Sequence, residues 1–323
     1  MKAATVAVDG LALAEVAVPK PGAEQVLVRV RAVGLNRADL AVAAGHQHGS
    51  TGGIGAIPGI DWTGEVVEVG AGVSHVKPGD RVMCSGAGGY AEYAVSDIGR
   101  TVALPDNNMS WEVAATLPVA LQTMHNAIVT AGRFKSGETV LIQGASSGVG
   151  LMGLQIAKLM GASKVFGTST NAARRARLAE FGCDVAVDTS RPKWSEAVLS
   201  ETGGKGVDLI VDQVSAGVAN ENLRATRILG RIVNVGRLGG DRGEFDFDLH
   251  AARRIDYIGV TFRTRNVAEV REIVRAMKAD LWAHVEAGRL KLPIDRVFPL
   301  ADVAQAVAHM RANQHFGKII MVP

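Results

Sequence analysis

The stretch "VLIQGASSGVGLMGLQIAKLMG", residues 140 to 161, joins an apolar run to a glycine-rich turn and then to a segment with helical apolar periodicity. In such a unit small residues let the backbone approach a pyrophosphate, and the amides at the helix N-terminus point at its charge. The match to G-x-G-x-x-G is imperfect, because its three glycine positions hold Ala145, Ser147 and Gly150. Since a strand-like and a helix-like segment flank the turn, we expect it to bind a nucleotide rather than to serve packing alone.

The pattern around this turn repeats along the chain from about residue 119. Helical segments are expected at 149–160, 171–181, 193–201 and 218–229, and they alternate with apolar runs at 139–143, 164–168, 184–188, 207–211 and 231–235. This alternation predicts a parallel, doubly wound sheet and therefore an α/β protein.

The two ends of the chain read differently. Residues 1 to about 118 contain short β-branched runs broken by Gly and Pro turns, which is typical of a small barrel or twisted sandwich. The tail predicts helices at 267–288 and 301–312 and a closing strand at 318–322. This strand could return to the first domain and make it discontinuous.

Charge and composition limit the functional classes. The 323 residues include 35 Lys and Arg against 32 Asp and Glu, and a net charge of +3 is too balanced to indicate nucleic-acid binding. The N-terminus lacks the apolar segment of a signal peptide, and no run reaches the ~18 apolar residues of a membrane span. Cys84 and Cys183 form no C-x-x-C pair. We expect a cytoplasmic protein with no membrane partner.

The glycine spacing also resembles the loop of short-chain dehydrogenases, which need a Tyr-x-x-x-Lys pair for proton transfer. The residue four positions after Tyr90, Tyr93 or Tyr257 is alanine, aspartate or threonine. That alternative therefore fails.

The residues after the second predicted strand favour NADP over NAD. NAD sites usually carry an acid there for the ribose diol, but this strand continues into Ser169 and Thr170 with no acid, and Arg174, Arg175 and Arg177 follow. Hydroxyls and a guanidinium can donate hydrogen bonds to a 2′-phosphate, which a carboxylate would repel. The alternative is that these arginines only solvate an exposed helix face.

Six blocks occur in the order found in medium-chain dehydrogenases/reductases: "NRADL" (36–40), "PGIDWTGEVVEVGAGVSHVKPGDRV" (58–82), "YAEYAV" (90–95), "LPVALQTMHNAI" (117–128), "GASSGVG" (144–150) and "GKIIMVP" (317–323). The chain most resembles the zinc-free quinone oxidoreductase, or zeta-crystallin-like, branch. The resemblance implies a GroES-like β-barrel domain from residues 1–118 and 263–323, a Rossmann domain from 119–262, and a homodimer.

The residue types at the family's zinc positions predict that no metal is bound. Zinc-dependent members place a cysteine and a histidine where this chain has Asn36 and Ile60. An amide and an alkyl group cannot replace a thiolate and an imidazole. The compact pair His46 and His48 is expected to be exposed or to face substrate. Without a Lewis acid to ionise an alcohol, we expect an acceptor that is already electrophilic.

The resemblance also implies the site residues. Asn36 and Asp39 would line the pocket near the nicotinamide, and Thr123 would contact the nicotinamide or its ribose. Asn36 is expected either to donate a hydrogen bond to an acceptor carbonyl or to be a buried amide that fixes a loop. The implied cofactor contacts are Ala145, Ser146, Gly148, Val149 and Gly150 for the pyrophosphate, Ser169, Thr170 and Arg174 for the 2′-phosphate, Asp212, Val214, Asn234, Val235 and Gly236 for the ribose and nicotinamide, and Gly317 and Lys318 from the tail. Val214 and Val235 could equally be core residues.

The sequence thus predicts hydride transfer from NADPH to a quinone or a similar electrophilic carbonyl, which needs orientation and modest oxyanion stabilisation. An NADPH-dependent enoyl or alkenal reductase is the nearest alternative, and it would add a proton donor. A third possibility is an NADPH-binding protein without enzymatic activity.

Overall fold

Residues 1–47, 49, 51–105 and 108–323 are described by the computed structural model. They divide into a barrel unit, Met1–Val119 with Phe262–Pro323, and a nucleotide unit, Ala120–Thr261. His48 lies outside the described residues, so the expectation for the histidine pair stays a prediction. In the described part of the chain, no helix has the length and apolar character needed to cross a membrane.

The strands are β1 (Lys2–Ala7), β2 (Gly10–Glu15), β3 (Gln25–Gly34), β4 (Asp61–Val69), β5 (Arg81–Ser85), β6 (Tyr93–Asp97), β7 (Thr101–Ala103), β8 (Thr139–Ile142), β9 (Lys164–Thr168), β10 (Val185–Val187), β11 (Val207–Asp212), β12 (Thr226–Asn234), β13 (Asp256–Gly259), β14 (Ile294–Pro299) and β15 (Lys318–Val322). The α-helices are α1 (Arg37–Ala43), α2 (Trp111–Ala114), α3 (Pro118–His125), α4 (Gly148–Leu159), α5 (Ala172–Ala176), α6 (Ser195–Glu201), α7 (Ala219–Ala225), α8 (Phe247–Arg253), α9 (Val267–Glu286) and α10 (Val303–Arg311). A π-helical segment, Asn126–Ala131, follows α3.

The nucleotide unit contains the parallel sheet that the sequence pattern predicts. Its six strands follow the order β10-β9-β8-β11-β12-β13, and each pair of neighbours is parallel. The chain runs outward from β8 in one direction and then from β11 in the other. The carboxyl ends of β8 and β11 therefore form the switch point where doubly wound sheets bind ligands.

Burial on both faces explains why these strands are continuous apolar runs. The side chains of Val140, Leu141 and Ile142 in β8 are fully buried, as are those of Leu209, Ile210 and Val211 in β11. A parallel sheet covered by helices on both sides requires this pattern.

The barrel unit is built on a seven-stranded sheet in the order β14-β15-β3-β4-β5-β7, with β6 paired to β3. The closing strand β15 pairs antiparallel with β3, so the tail returns to the N-terminal strands. Trp62 and Tyr90 are fully buried in the core of this unit, against which α10 packs Val307 and Met310.

One predicted helix, at 218–229, is wrong in its last four residues. Helix α7 ends at Ala225, and strand β12 begins at Thr226. The Thr226 hydroxyl donates to the Asn222 carbonyl at 2.7 Å, which satisfies an acceptor at the end of the helix. Leu229 then takes a positive φ of 63°, which a helix cannot accommodate.

Candidate functional site

The turn between β8 and α4 is held against the end of β9. Gly144 has a positive φ of 67°, which favours glycine, and its N–H donates to Thr168 Oγ1 at 3.0 Å. The Ala145 N–H donates to the Thr168 carbonyl at 2.9 Å. The end of β9 therefore fixes the position of the turn.

The start of α4 is built for close approach. Ser147 is its N-cap, and the Ser147 hydroxyl accepts from the Gly150 N–H at 3.0 Å. A Cβ on Gly150 would lie 2.6 Å from the Gly144 carbonyl oxygen, so only glycine allows the helix to pack on the turn. The N–H groups in the first turn of a helix have no acceptor within the helix. Because small residues surround them here, the N–H groups of Gly148 and Val149 are suited to bind a pyrophosphate.

At the end of β9, hydroxyl groups take the place of the usual carboxylate. Ser169 Oγ lies 3.1 Å from Ser146 Oγ, and Thr170 is exposed. Arg175 bridges the ends of two strands, because it donates to the Ser169 carbonyl at 2.9 Å and pairs with Asp188 at 3.0 Å.

The three arginines of this segment differ in their surroundings. Arg177 pairs with Glu180 through two contacts of 3.1 Å on the exposed surface. Arg175 is paired with Asp188. Arg174 is half-buried, and its N–H donates to Asn171 Oδ1, which caps α5.

The ends of β11 and β12 lie side by side. The Val235 N–H donates to the Asp212 carbonyl at 2.7 Å, and a Cβ on Gly236 would lie 2.8 Å from the Gln213 carbonyl oxygen. The Asp212 carboxylate is buried and accepts from the N–H groups of Val214 and Ser215. Burial raises the pKa of Asp212, whereas these N–H donors lower it.

The predicted acceptor-side residues of the barrel unit flank the start of α1. The Asn36 N–H donates to Asp39 Oδ2 at 2.8 Å, and Asn36 Nδ2 donates to the Gly34 carbonyl and to Asp61 Oδ2, both at 3.1 Å. The Asn36 side chain is buried, and both Nδ2 hydrogens have acceptors within this unit. This geometry matches the description of a buried amide that fixes a loop.

A buried ion pair completes this network. Lys318 Nζ lies 2.9 Å from Asp61 Oδ2 and 2.9 Å from Asn36 Oδ1. The side chains of Lys318 and Asp61 are 4% and 0% exposed. Asp61 Oδ1 accepts from the Val119 N–H at 2.9 Å. The pair therefore ties the closing strand β15 to the start of β4.

Asp39 sits at the centre of the same cluster. Its Oδ2 accepts from the Tyr90 hydroxyl at 3.1 Å, and its Oδ1 accepts from the Gly59 N–H. Burial raises the pKa of Asp39 to about 6, against the opposing effects of the Asn36 N–H, the Tyr90 hydroxyl and the Lys318 charge. Because the folded pKa lies above the unfolded value, the contribution of Asp39 to stability falls as the pH rises from about 4 to about 6.

The residues present do not suit a zinc ion. The Asn36 Oδ1 atom already faces the Lys318 ammonium group, and Ile60 offers no donor atom. Where side chains are described, no group of three or more His, Cys, Asp or Glu residues is placed to hold a metal.

The predicted residues thus form one cluster in each unit. Asn36, Asp39 and Lys318 meet in the barrel unit. The predicted cofactor-binding residues from Ala145 to Gly236 in the sequence lie around the strand ends of the nucleotide unit. Thr123 is half-buried on α3 of the nucleotide unit. Gly317 has a φ of 92°, and a Cβ there would lie 2.1 Å from the Pro293 carbonyl oxygen.

Reasoning from the sequence missed Asp61 and its pairing with Lys318, and it missed a second group of polar residues. Asp61 and Lys318 are opposite charges at the first positions of two strands, a signal for a buried pair. Gln143, Thr168 and Asn222 are polar, and the first two stand where apolar strands end, next to the turn. That position could have marked them as supports of the nucleotide site.

Comparison with known proteins places this geometry in a family. Residues 22–106 match the family described as "Alcohol dehydrogenase GroES-like domain", and residues 148–279 match "Zinc-binding dehydrogenase". The quinone oxidoreductase of Rattus norvegicus is 30% identical over 313 residues, which cover 95% of this chain and 92% of the relative.

Solved structures agree with these matches. A quinone oxidoreductase from Pseudomonas syringae pv. Tomato DC3000 superposes with a TM-score of 0.89 at 26% identity and covers 100% of both chains. The CurK enoyl reductase superposes with a TM-score of 0.87 at 25% identity and covers 99% of both chains.

The fold and its matches define the class of this protein as an α/β oxidoreductase with a GroES-like unit and a Rossmann-type unit. The predicted fold class is therefore confirmed. The chain belongs to the medium-chain dehydrogenase/reductase superfamily, as its sequence blocks predict. Its cofactor is therefore a nicotinamide nucleotide.

The buried ion pair gives a direct test of the barrel cluster. We expect Lys318→Met to lower the free energy of unfolding by about 3–5 kcal/mol, because it leaves the Asp61 carboxylate buried and unpaired. Urea denaturation at pH 7 measures this loss. The double variant Asp61→Leu with Lys318→Met should recover a large part of it, since no lone charge remains. Wild-type stability in the single variant would contradict the assignment.

Proposed function

We propose that this protein transfers a hydride from NADPH to a quinone or a similar electrophilic carbonyl, independently of zinc. The observation that carries the choice of NADPH is the end of β9, where Ser169 and Thr170 precede Arg174. The neighbouring carboxylate of Asp188 is paired with Arg175 at 3.0 Å. A 2′-phosphate would therefore meet donors at this position.

Different groups of the predicted residues bind different parts of the cofactor. The amides of Gly148 and Val149, with Ala145, Ser146 and Gly150 beside them, hold the pyrophosphate at the start of α4. Ser169, Thr170 and Arg174 hold the 2′-phosphate. Asp212, Val214, Asn234, Val235 and Gly236 form the edge that receives the ribose and nicotinamide, and Gly317 and Lys318 contribute from the tail. When bound, the nicotinamide supplies the hydride.

The acceptor side uses Asn36, Asp39 and Thr123. An acceptor carbonyl would take over the Asn36 Nδ2 hydrogen that now points at Asp61. Lys318 keeps Asp61 paired during this exchange, because its Nζ lies 2.9 Å from the same oxygen. The exchange places a donor at the oxygen where negative charge develops. A quinone needs only this orientation and stabilisation.

The similarity to quinone oxidoreductases supports this acceptor class, and the similarity to the CurK enoyl reductase supports a second candidate, reduction of an activated C=C bond. That reaction needs a proton donor. In the barrel unit the Tyr90 hydroxyl is fully buried and donates to Asp39, while the Tyr93 hydroxyl accepts from Arg29 at 3.2 Å. These contacts favour the quinone as acceptor.

The family resemblance also leads us to propose a cytoplasmic homodimer whose partner in the reaction is a small molecule. The balanced charge of the chain supports the proposal that it binds no nucleic acid. We propose no membrane association.

Cofactor preference is tested with Arg174→Ala. We expect the Kd for NADPH to rise by about 10- to 100-fold, the effect of losing a charged hydrogen bond to phosphate, and the Kd for NADH to stay within about twofold. Arg177→Ala is the matched control, because its guanidinium pairs with Glu180, and neither Kd should change. Nicotinamide fluorescence titration measures all four values. Equal losses for both nucleotides in Arg174→Ala would contradict the role of Arg174.

The acceptor is tested by steady-state NADPH oxidation with a panel of quinones, enals and enoyl thioesters. We expect kcat/KM to be highest for quinones, because they require no protein proton donor at carbon. Higher values for the enals or enoyl thioesters would establish the second candidate instead. Binding of NADPH without turnover of any acceptor would show a nucleotide-binding protein that lacks this activity.

A further inference from the structure

Three buried polar side chains beneath the glycine turn have no place in the cofactor contacts described above. Gln143 follows β8, Thr168 ends β9, and Asn222 lies in α7. Their exposed fractions are 0%, 1% and 0%. Burying such groups costs free energy unless they are hydrogen-bonded, so their partners indicate what they do.

These side chains form one chain of hydrogen bonds that ends at Asp212. Asn222 Nδ2 donates to Asp212 Oδ2 at 3.0 Å, and Gln143 Nε2 donates to Asn222 Oδ1 at 2.7 Å. Thr168 Oγ1 donates to Gln143 Oε1 at 2.6 Å. The Gly144 N–H, which belongs to the turn itself, donates to Thr168 Oγ1 at 3.0 Å.

The carboxylate fixes the direction of every bond in this chain. An ionised Asp212 can only accept, so Asn222 must present its NH₂ group to Asp212 and its carbonyl oxygen to Gln143. Gln143 must then present its oxygen to Thr168. The Thr168 hydroxyl donates its hydrogen to Gln143, so its oxygen is free to accept from the Gly144 N–H.

The Gly144 N–H matters because the start of α4 depends on this residue. The Gly144 carbonyl accepts from the Ser147 N–H at 3.1 Å and from the Ser147 hydroxyl at 2.9 Å. Ser147 in turn caps Gly150. A displacement of Gly144 would therefore move the amides that face the pyrophosphate, and a misplacement of about 1 Å is enough to weaken function severely.

We propose that Asn222, Gln143 and Thr168, anchored on the Asp212 carboxylate, are positioning residues that set the glycine turn for the dinucleotide. This chain of hydrogen bonds acts on the dinucleotide through the turn and leaves the contacts to the 2′-phosphate unchanged. This inference rests on nucleotide binding by the nucleotide unit, as in the proposed function, and not on the choice of acceptor.

Thr168→Val is the primary test, because it keeps the shape of the side chain and removes the hydroxyl. We expect the Kd values for NADPH and NADH to rise together by about tenfold, since Gly144 loses its acceptor and Gln143 its donor. Thr168→Ser restores the hydroxyl and should return both values to within about twofold of wild type. Nicotinamide fluorescence titration gives the Kd, and thermal unfolding without nucleotide gives the stability.

Thr226→Val is the matched control for lost stability. Its hydroxyl is also fully buried and also bonds to α7, because it donates to the Asn222 backbone carbonyl at 2.7 Å. This bond is not part of the side-chain hydrogen bonds that link Asp212 to Gly144. We expect a lower Tm with unchanged Kd values. An unchanged Kd in Thr168→Val, or an equal rise in Thr226→Val, would overturn the positioning role. If the wild-type protein bound neither nucleotide, the proposed function itself would fail.

A double-mutant cycle tests whether the bonds act as one chain. In Asp212→Asn the amide can donate toward Asn222, so the amides of Asn222 and Gln143 can reverse and leave the Thr168 hydroxyl without its acceptor. The cost of Thr168→Val to nucleotide binding should then be smaller in the Asp212→Asn background than in wild type, by at least about twofold. Additive effects would contradict transmission through the chain.

Discussion

The packing of the glycine turn against the end of β9 is the constraint on which the nucleotide unit depends. Gly144 must adopt a left-handed conformation for the chain to leave β8, and α4 can approach the turn only because Gly150 lacks a Cβ. Thr168 supplies both the carbonyl and the hydroxyl that hold the turn in place. Backbone geometry therefore decides where the amides of the helix N-terminus point.

The barrel unit depends on a second constraint, which is how to keep charged side chains buried. Lys318 supplies the positive charge, and Asp61 and Asn36 share it at 2.9 Å. The Asp39 carboxylate instead accepts hydrogen bonds from the Tyr90 hydroxyl and from the backbone N–H groups of Asn36 and Gly59. A protein ammonium group thus compensates the buried carboxylate of Asp61.

Much of the fold could be predicted from the sequence because strand and helix periods differ. The strands at 164–168 and 318–322 match β9 and β15 residue by residue, and the helix predicted at 267–288 matches α9 to within two residues. The helix at 218–229 was extended too far, because periodicity does not show that Thr226 would cap α7 and that Leu229 would adopt a positive φ.

The candidate site was less accessible to sequence reasoning, and the reason is tertiary. Residue types could suggest that Asn36 is an amide near a reaction centre, but not that Gly34 and Asp61 accept both Nδ2 hydrogens. Lys318 is predicted to face the cofactor, and only the structure shows its Nζ between Asp61 and Asn36. Partners that are distant in sequence decide what a polar side chain can do, and no local pattern encodes them.

Backbone NMR during titration with NADPH tests the central claim most directly, because it observes the turn itself. We expect saturable changes in amide chemical shift that are largest for Gly148 and Val149, where the helix N-terminus receives the pyrophosphate. Saturable binding that leaves these two amides unperturbed would place the nucleotide elsewhere and contradict this account.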